Sequence, residues 1–481
     1  MKKRTVFLRF TSFLLIFAVL FAVVTEVLKD KRVELEYDVT SKVKGFYQEP
    51  DNSLDFVFVG SSQLYAAIAP NVLFEEFGIT SYDFAANEQP MWISYYYIKE
   101  ALAHQDPKAI VLDVFTMYGN EYEKEGATHI NLDDLPWNLN KIQAIRASVP
   151  EGERGAFYFE LVKYHDTWNM LDRHKVMSSF WDERNVYRGY SPFVVPHVYG
   201  KTAPQDVIDQ TERAPMGDMA KRWLDKIIEL TRQEGVDLIL IKTPNGHADR
   251  QKLYLSVEDY AKEKNVPFLN MNTVFDGEAH INIIHAETVT RYVGQYLSEC
   301  YEITDKRNDP AFAEWHEDGK YFYHKKDKCV QIGLSDMKTY FEALADKEWV
   351  TLFAMEKTEF MSLGQEERTA LSEIGITPDY EAEGDWCYLV LLKDGKPVSD
   401  GAQVTEPYEE EFVLEGDSHL YKLSYGADEN GNAVPGLYMD GANYSMEYDG
   451  INVFIYDPLL EEIVEFAAFD TVAGATAIRV E

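Results

Sequence analysis

Apolar and polar residues alternate in blocks along the first part of the chain, and these blocks predict strands and helices in turn. The apolar run Leu54–Val59 is typical of a buried strand, and a helical pattern follows it at 70–77. The same alternation predicts further strands at 82–85, 109–114, 236–241 and 267–269, and further helices at 92–103, 219–233, 257–264 and 286–297. This order favours an α/β fold with a mostly parallel sheet and helices on both faces.

Residues 118–215 break this rhythm, because they are rich in Trp, Tyr, Arg and His and contain few clean strand patterns. We interpret this stretch as an insertion in the α/β domain. Ligands of open α/β sheets bind beyond the carboxyl ends of the strands, where long insertions also emerge. The insertion is therefore either a cover over a site or a packing lobe without ligand contacts.

Beyond residue 305 the pattern changes to short β-like runs separated by Asp, Gly, Asn and Pro turns. One helix is predicted at 364–374, with Ser362 as its N-cap and Gly375 as its stop. The predicted strands are 349–354, 386–392, 411–414, 421–425 and 451–456. These runs predict a second, β-rich domain at 305–481, after an α/β domain at 54–304.

The first residues predict attachment to a membrane. A basic start, Lys2-Lys3-Arg4, precedes an apolar stretch, and 18 residues from Thr11 to Leu28 suffice to span a bilayer. We expect an uncleaved signal anchor at 1–32 and a polar stalk at 33–53. The protein would then be a single-pass cell-membrane protein with extracytoplasmic domains, and a cleaved signal peptide is the alternative.

Charge narrows the range of partners. The 481 residues include 82 acidic and 46 basic side chains, for a formal net charge of −36. Such a charge disfavours nucleic acid and an anionic membrane surface as general partners. Acidic runs such as 409–411 lack calcium-loop spacing, so no metal or other cofactor is predicted. Three cysteines without a C-x-x-C pair are either buried free thiols or include one Cys329–Cys387 bridge.

The sequence Gly60-Ser61-Ser62 follows the first predicted strand directly. A serine at that position lies on the rim of the sheet, where its hydroxyl is exposed and nearby backbone amides can hold an anion. Ser62 is therefore a candidate nucleophile. The alternative is a structural role, since Gly and Ser are ordinary residues of turns and helix caps.

A second candidate group, 276–282, lies just before the last helix of the α/β region. A carboxylate a few residues ahead of a histidine can hold the imidazole in one tautomer, so that its other nitrogen accepts the serine proton. This reasoning makes His280 the candidate base and Asp276 its partner. We interpret His285 as a substitution at the helix start and His247 as a loop residue.

Four segments together resemble the extracytoplasmic SGNH-like proteins related to the teichoic-acid D-alanylation and alginate O-acetylation enzymes. They read VFVGSSQLY, SYDFAANEQPMWISYYYIKEAL, DLILIKTPN and AHINIIHAETVTRYVGQYL, and they span Leu54 to Leu297. The resemblance implies a flavodoxin-like sheet. It also implies that Ser62 is the nucleophile of a G-D-S motif in which Ser61 replaces Asp, and that His280 is the base.

The chain departs from this family pattern at three points. The last block of the family reads D-x-x-H, whereas Asp276 is one residue too far from His280, so the orienting carboxylate is Asp276 or Glu278, and Asp276 is preferred. The chain has Ala85, Ala86 and Asn87 where the family has its oxyanion-hole glycine, and the backbone amides near Ser62 and Ala86 are the candidate donors. For the family's asparagine, Asn87 and Asn245 are the candidates.

The C-terminal segment resembles the interleukin-like EMT inducer domain, a compact β-sandwich with a flanking helix. The resemblance is carried by VTLFAMEKTEFMSLGQEERTALSEIGI, WCYLVLLKDGKPV and YDGINVFIYDPLLEEIVEFAAFDT. Some relatives of that domain bind carbohydrate, so the resemblance implies a glycan-binding role. The alternative is a spacer or a protein-contact module.

These expectations combine into a cell-surface serine esterase or O-acyltransferase that acts on envelope or extracellular polysaccharide. Its partners would be an acylated glycan, the membrane through the N-terminal helix, and a membrane-bound acyl-donor protein. The alternative is a catalytically inactive protein of the same fold that binds glycan or serves in assembly.

Overall fold

The computed structural model describes residues 2–29, 39–122, 125–171, 173–177, 179–180, 184–427, 433–446, 450–471 and 476–479. The chain divides into two compact units. The first comprises Met1–Phe193 and Val198–Phe322, and the second comprises Val194–His197 and Tyr323–Glu481. The predicted domain boundary after residue 304 stays a prediction.

A five-stranded parallel sheet forms the centre of the first unit. Its strands are β1 (Phe56–Val59), β2 (Ser81–Asp83), β3 (Ala109–Asp113), β4 (Asp237–Lys242) and β5 (Phe268–Asn270). They lie in the order β2-β1-β3-β4-β5, and every neighbouring pair is parallel. Because the strands are parallel, their carboxyl ends share one edge of the sheet, and chemistry from several strands can meet there.

Helices flank this sheet, as the sequence predicted. The α-helices described up to residue 300 are α1 (Lys2–Leu28), α2 (Val39–Phe46), α3 (Ser62–Tyr65), α4 (Pro70–Phe77), α5 (Met91–His104), α6 (Glu125–Leu132), α7 (Leu139–Ser148), α8 (Arg154–Tyr158), α9 (Leu161–Tyr164), α10 (Arg173–Met177), α11 (Gln205–Ile208), α12 (Asp218–Glu234), α13 (Ala248–Lys264) and α14 (Ile283–Cys300). Helix α4 packs against α14, and α5 packs against α12. The strands β1 and β3 between them are fully buried, which explains their continuous apolar sequences.

Part of the stretch that we predicted as a polar stalk belongs to the packed unit. Helix α2 lies within 33–53, and its Phe46 is fully buried. The Phe46 ring stacks on Phe84 with 4.1 Å between ring centroids, and it meets Tyr82 edge to face. This aromatic packing fixes α2 to the end of β2.

The insertion at 118–215 consists of short helices, α6 to α11, and contains no strand among its described residues. Buried charges hold its helices together. Lys141 on α7 forms a 2.8 Å ion pair with Glu160, and His129 on α6 contacts Asp133 at 2.8 Å. Short helices that are joined by buried polar contacts do not show the regular apolar repeat from which helices are predicted. We therefore predicted none of the helices of the insertion from the sequence.

The second unit is β-rich, as predicted, and its paired strands are antiparallel. Its strands are β6 (Val350–Glu356), β7 (Cys387–Lys393), β8 (Lys396–Pro397), β9 (Ala402–Val404), β10 (Tyr408–Val413), β11 (Leu420–Ala427), β12 (Ala433–Met439), β13 (Ala442–Asn443), β14 (Ile451–Asp457), β15 (Glu462–Asp470) and β16 (Thr476–Arg479). One sheet runs β16-β15-β14-β6-β7-β8, with β9 also on β7, and the other runs β10-β11-β12-β13. Side chains of both sheets, among them Leu352 and Leu437, share one buried cluster.

The remaining helices are α15 (Ala313–Gly333), α16 (Met337–Glu342), α17 (Lys357–Ser362) and α18 (Gln365–Glu373). The predicted N-cap Ser362 is wrong, because Ser362 ends α17 and bonds the Thr358 carbonyl at 2.7 Å. Gly364 takes the N-cap position of α18. The three cysteines are free thiols, and Cys329 and Cys387 are buried.

Candidate active site

Ser62 lies at the carboxyl edge of the parallel sheet, just after β1. The strand ends at Val59, and Ser62 is the first residue of α3. Gly60 permits this turn, because a Cβ atom there would lie 2.4 Å from the Cβ atom of Asp113 at the end of β3. Ser62 exposes only 8% of its surface, so it is less open than the sequence predicted.

The turn is tied to β3 by a side-chain carboxylate. The Ser61 hydroxyl donates to Oδ2 of Asp113 at 2.5 Å, and the Ser61 N–H donates to the same oxygen at 3.2 Å. Oδ1 of Asp113 accepts the Phe115 N–H at 3.1 Å. Sequence reasoning missed Asp113, although an acidic residue that closes an apolar strand run was the signal available.

The structure brings Ser62 and His280 together across 218 residues of sequence. Nε2 of His280 lies 2.9 Å from Oγ of Ser62, within hydrogen-bonding distance. The imidazole stacks on Phe193, with 5.0 Å between ring centroids and an angle of 10° between the planes. Burial lowers the pKa of His280 below its ordinary value of 6.5. A neutral imidazole with Nε2 facing a hydroxyl is the arrangement that a general base requires.

Asp276 holds the loop that carries His280. Its Oδ2 atom accepts the Gly200 N–H at 2.8 Å, and its Oδ1 atom accepts the Gly277 N–H at 2.9 Å. Glu278, the other candidate, is exposed. Both carboxylate oxygens of Asp276 thus serve the loop backbone, and the orientation of His280 by Asp276 or Glu278 stays a prediction.

His285 supports the same loop from the first turn of α14. Its Nε2 atom donates to the Asp276 carbonyl at 2.8 Å, and its ring stacks on Tyr199 with 4.7 Å between centroids. Burial lowers the pKa of His285. These contacts agree with our interpretation of His285 as a residue of the helix start, while His247 is exposed just before α13.

The predicted oxyanion donors are less favourably placed. The Ala86 N–H donates to the Gly60 carbonyl at 3.2 Å, so it is already engaged. Asn87 accepts the Tyr65 hydroxyl with its Oδ1 atom. Within the described part of the chain, the Ser62 N–H makes no hydrogen bond, which makes it the better backbone candidate.

Asn245 lies in the loop after β4, close to the loop of Asp276. A Cβ atom on Gly246 would approach the Gly277 carbonyl oxygen to 2.3 Å, so the two loops touch. The Asn245 N–H donates to Oδ1 of Asn272 at 2.8 Å. Its own Oδ1 atom is buried without a hydrogen bond in the described structure. Asn245 therefore belongs to the same edge as His280, with a side chain whose hydrogen bonding is incomplete.

A buried lysine that sequence reasoning missed lies under α3. Lys242 ends β4, is fully buried, and donates from Nζ to Oε1 of Gln63 at 2.6 Å and to the Thr243 carbonyl at 2.7 Å. Burial lowers the pKa of Lys242 to about 8, although nearby Asp113 opposes this shift. Lys242 therefore fixes the residue next to Ser62.

A buried carboxyl group lies at the end of β2. The carboxylate of Asp83 is fully buried, and neither oxygen has a hydrogen-bond partner in the described structure. Burial raises the pKa of Asp83 well above its ordinary value, with Lys42 opposing the shift. An unpartnered carboxyl group of this kind is costly to the fold when it is ionised.

Comparison with known protein families, with curated proteins and with solved structures found no significant match. The resemblances to the SGNH-like proteins and to the EMT inducer domain therefore stay expectations. The geometry itself is a hydrogen-bonded Ser62 and His280 pair at the carboxyl edge of a parallel sheet.

Proposed function

We propose that this protein is a membrane-anchored serine esterase or O-acyltransferase with an SGNH-type, flavodoxin-like domain. The observation that carries the proposal is the 2.9 Å contact between Ser62 Oγ and His280 Nε2 at the sheet edge. A serine hydroxyl becomes a useful nucleophile when an adjacent base can accept its proton. A neutral His280 meets that requirement.

The reaction would proceed in two balanced steps. Ser62 Oγ attacks the ester carbonyl while His280 Nε2 takes the hydroxyl proton, and the proton then passes to the departing alcohol to leave an acylated Ser62. Water or a sugar hydroxyl next attacks the acyl carbon as its proton passes to His280. The bond between the acyl carbon and Ser62 Oγ then breaks, and His280 returns the proton to Oγ, which restores both residues. The Ser62 N–H would stabilise the negative oxygen of each tetrahedral intermediate.

We assign the substrate class from the resemblances. An acylated envelope or extracellular polysaccharide fits both the SGNH-like segment and a C-terminal domain of the interleukin-like EMT inducer type. A membrane-bound protein would supply the acyl group where the reaction is transfer rather than hydrolysis.

We place the protein at the cell membrane, with its domains outside. Among the described residues, one helix (Arg4–Leu28) is long and apolar enough to cross a membrane, and such a helix fits a signal anchor or a signal sequence. The neighbouring Lys29 is buried by its contacts with the insertion. A helix whose end is built into the folded unit favours the anchor.

The second candidate function is a catalytically inactive protein that binds glycan or serves in assembly. Two observations favour it. The Ala86 N–H is engaged by the Gly60 carbonyl, and the Asp276 carboxylate is engaged by the Gly200 and Gly277 amides. A site whose predicted oxyanion amide and predicted orienting carboxylate are both engaged elsewhere would have little activity.

The test is covalent labelling of the full-length protein in detergent with a fluorophosphonate probe, read by intact mass. We expect one adduct on wild type, and none on Ser62→Ala or His280→Ala. The matched control is His247→Gln, whose histidine is exposed just before α13, and it should still react. An unlabelled, folded wild-type protein would reject the catalytic proposal in favour of the binding role.

A further inference from the structure

The end of the apolar helix α1 is joined to the insertion. The Thr167 hydroxyl donates to the Leu28 carbonyl at 2.5 Å, and α9 packs against α1. Lys29 donates to the Asp133 carbonyl at 2.8 Å and forms a 2.7 Å ion pair with Asp134. The insertion therefore touches α1 at the point where its apolar sequence ends.

The length of α1 determines where the contacts between α1 and the insertion lie relative to the lipid bilayer. The 25 residues of Arg4–Leu28 span about 37 Å at 1.5 Å per residue, against a hydrocarbon core of about 30 Å. A helix that crosses the bilayer thus brings Leu28 out to the level of the lipid headgroups. Residues that contact Leu28 and Lys29 lie at the same level.

Four large apolar side chains of the insertion, which we call the apolar rim, lie within a few residues of these contacts. They are Phe159, Val162, Trp168 and Met170, and each exposes more than half of its surface, from 59% to 68%. Val162 is on α9, and Trp168 directly follows Thr167. Exposed side chains of this size, including a tryptophan, are typical of surfaces that enter the membrane interface.

The local charge permits this contact. Residues 154–175 contain four Lys or Arg against three Asp or Glu, whereas the whole chain has a net charge of −36. The stretch around the apolar rim therefore escapes the acidity that disfavours contact with a membrane surface elsewhere on the protein.

We propose that the apolar rim docks into the headgroup region of the same bilayer that α1 spans, and so holds the first unit against the membrane. The bilayer is favoured over a second copy or another protein because the rim adjoins the end of the spanning helix. The inference rests on the anchor in the proposed function, and it does not depend on catalysis at Ser62. Its consequence is that the substrate is met close to the membrane surface.

The test uses the full-length protein in phosphatidylcholine nanodiscs whose acyl chains are either brominated or unbrominated. The emission of wild type minus that of Trp168→Phe is the emission of Trp168 itself. Bromine quenches tryptophan only at short range, so the loss of this difference in brominated lipid reports how close Trp168 lies to the acyl chains. We expect brominated chains to reduce that difference by about half, because interfacial tryptophans lie at headgroup level. Trp168 is exposed, so phenylalanine should not disturb folding.

The matched control is Trp223→Phe. Trp223 packs against Tyr95 and Tyr96, with the Lys226 ammonium 3.6 Å from its ring centroid. Its emission should be unchanged by bromine. The docking would be overturned if both tryptophans were quenched equally or if Trp168 were not quenched. If Trp168 is unquenched and each nanodisc holds two copies of the protein, the apolar rim serves self-association instead.

The intact mass of the protein distinguishes failure of the membrane anchor from failure of the docking. A chain that has lost α1 would overturn the anchor and the docking with it. A full-length chain with unquenched Trp168 would overturn the docking alone. Fluorophosphonate labelling of Ser62 in the same nanodiscs reports the catalytic proposal independently.

Discussion

The Ser61 hydroxyl donates a 2.5 Å hydrogen bond to Oδ2 of Asp113, which links the turn before Ser62 to the end of β3. In the G-D-S motif, to which we expected Gly60-Ser61-Ser62 to correspond from the sequence, the carboxylate lies in the turn itself. Here the turn supplies a hydroxyl, and the carboxylate comes from the neighbouring strand. The position of Ser62 thus depends on two adjacent strands.

We expect Asp113→Ala to destabilise the protein and to reduce labelling of Ser62. Alanine leaves the Ser61 hydroxyl, the Ser61 N–H and the Phe115 N–H without their acceptor. The two donors of Ser61 are buried, and an unsatisfied buried donor costs about 1–3 kcal/mol, so the free energy of unfolding should fall by roughly 2–6 kcal/mol. Urea unfolding measures this change. Asp113→Asn keeps one acceptor oxygen and should lose less; equal stability of all three proteins would show that the link is unimportant.

The reactivity of Ser62 should depend on the protonation of His280. Burial lowers the pKa of His280 from its ordinary 6.5, so the folded protein binds this proton less readily than the unfolded chain. The labelling rate should rise with pH, reach its midpoint below 6.5, and stay constant through neutral pH. The lowered pKa of His280 also contributes to the free energy of unfolding. This contribution is present above pH 6.5 and is lost as the pH falls below 6.5. A midpoint at or above 6.5 would contradict the buried, neutral base.

The elements of the α/β sheet were predictable because each carries its own local signal. The helix predicted at 70–77 is α4 (Pro70–Phe77), which starts with a proline and ends before Gly78 in the left-handed conformation. Such signals lie within a few residues of the element that they define. Strand β3 likewise shows its burial in its own sequence.

The contacts of the site were less predictable because they join distant residues. The order of motifs made Ser62 and His280 the candidate catalytic pair, and the fold brings their side chains within 2.9 Å of each other. Nothing near Ser61 in sequence indicates that its partner is Asp113, 52 residues away. The Ala86 amide was a reasonable candidate oxyanion donor from the sequence. In the structure the backbone turns so that this N–H donates to the Gly60 carbonyl.

Lys242 should make stability rise between pH 8 and pH 10.5. Burial lowers its pKa from 10.5 to about 8, so in this range the unfolded chain binds a proton that the folded protein has released, and stability increases with pH. The shift corresponds to a change on the order of 3 kcal/mol. Lys242→Met should remove this slope while filling the same space. Urea unfolding of both proteins across this pH range provides the test, and identical slopes would show that burial does not lower the pKa of Lys242.

Asp83→Asn should stabilise the protein at neutral pH. The raised pKa of Asp83 means that the folded protein binds a proton more tightly than the unfolded chain, so stability falls as the pH rises above 3.8. The neutral amide removes this penalty, and the gain at pH 8 should be about 1–3 kcal/mol, larger than at pH 4. Denaturant unfolding at both pH values measures the difference. A variant that is less stable than wild type at pH 8 would show that the carboxylate has a favourable role.

The Lys29–Asp134 ion pair joins the end of α1 to the insertion. Burial opposes the charge on Lys29, but the carboxylates of Asp134, Glu160 and Asp133 more than offset it and raise the pKa of Lys29. Removal of one partner leaves the other as an unpaired buried charge. Lys29→Met and Asp134→Asn should therefore each lower the free energy of unfolding, and the variant with the larger loss should lose about 3–5 kcal/mol. The double variant should lose less than the sum of the two, by at least about 1 kcal/mol. Urea unfolding of the four full-length proteins in detergent gives this coupling, and additive losses would mean that α1 is not fastened to the insertion by this pair.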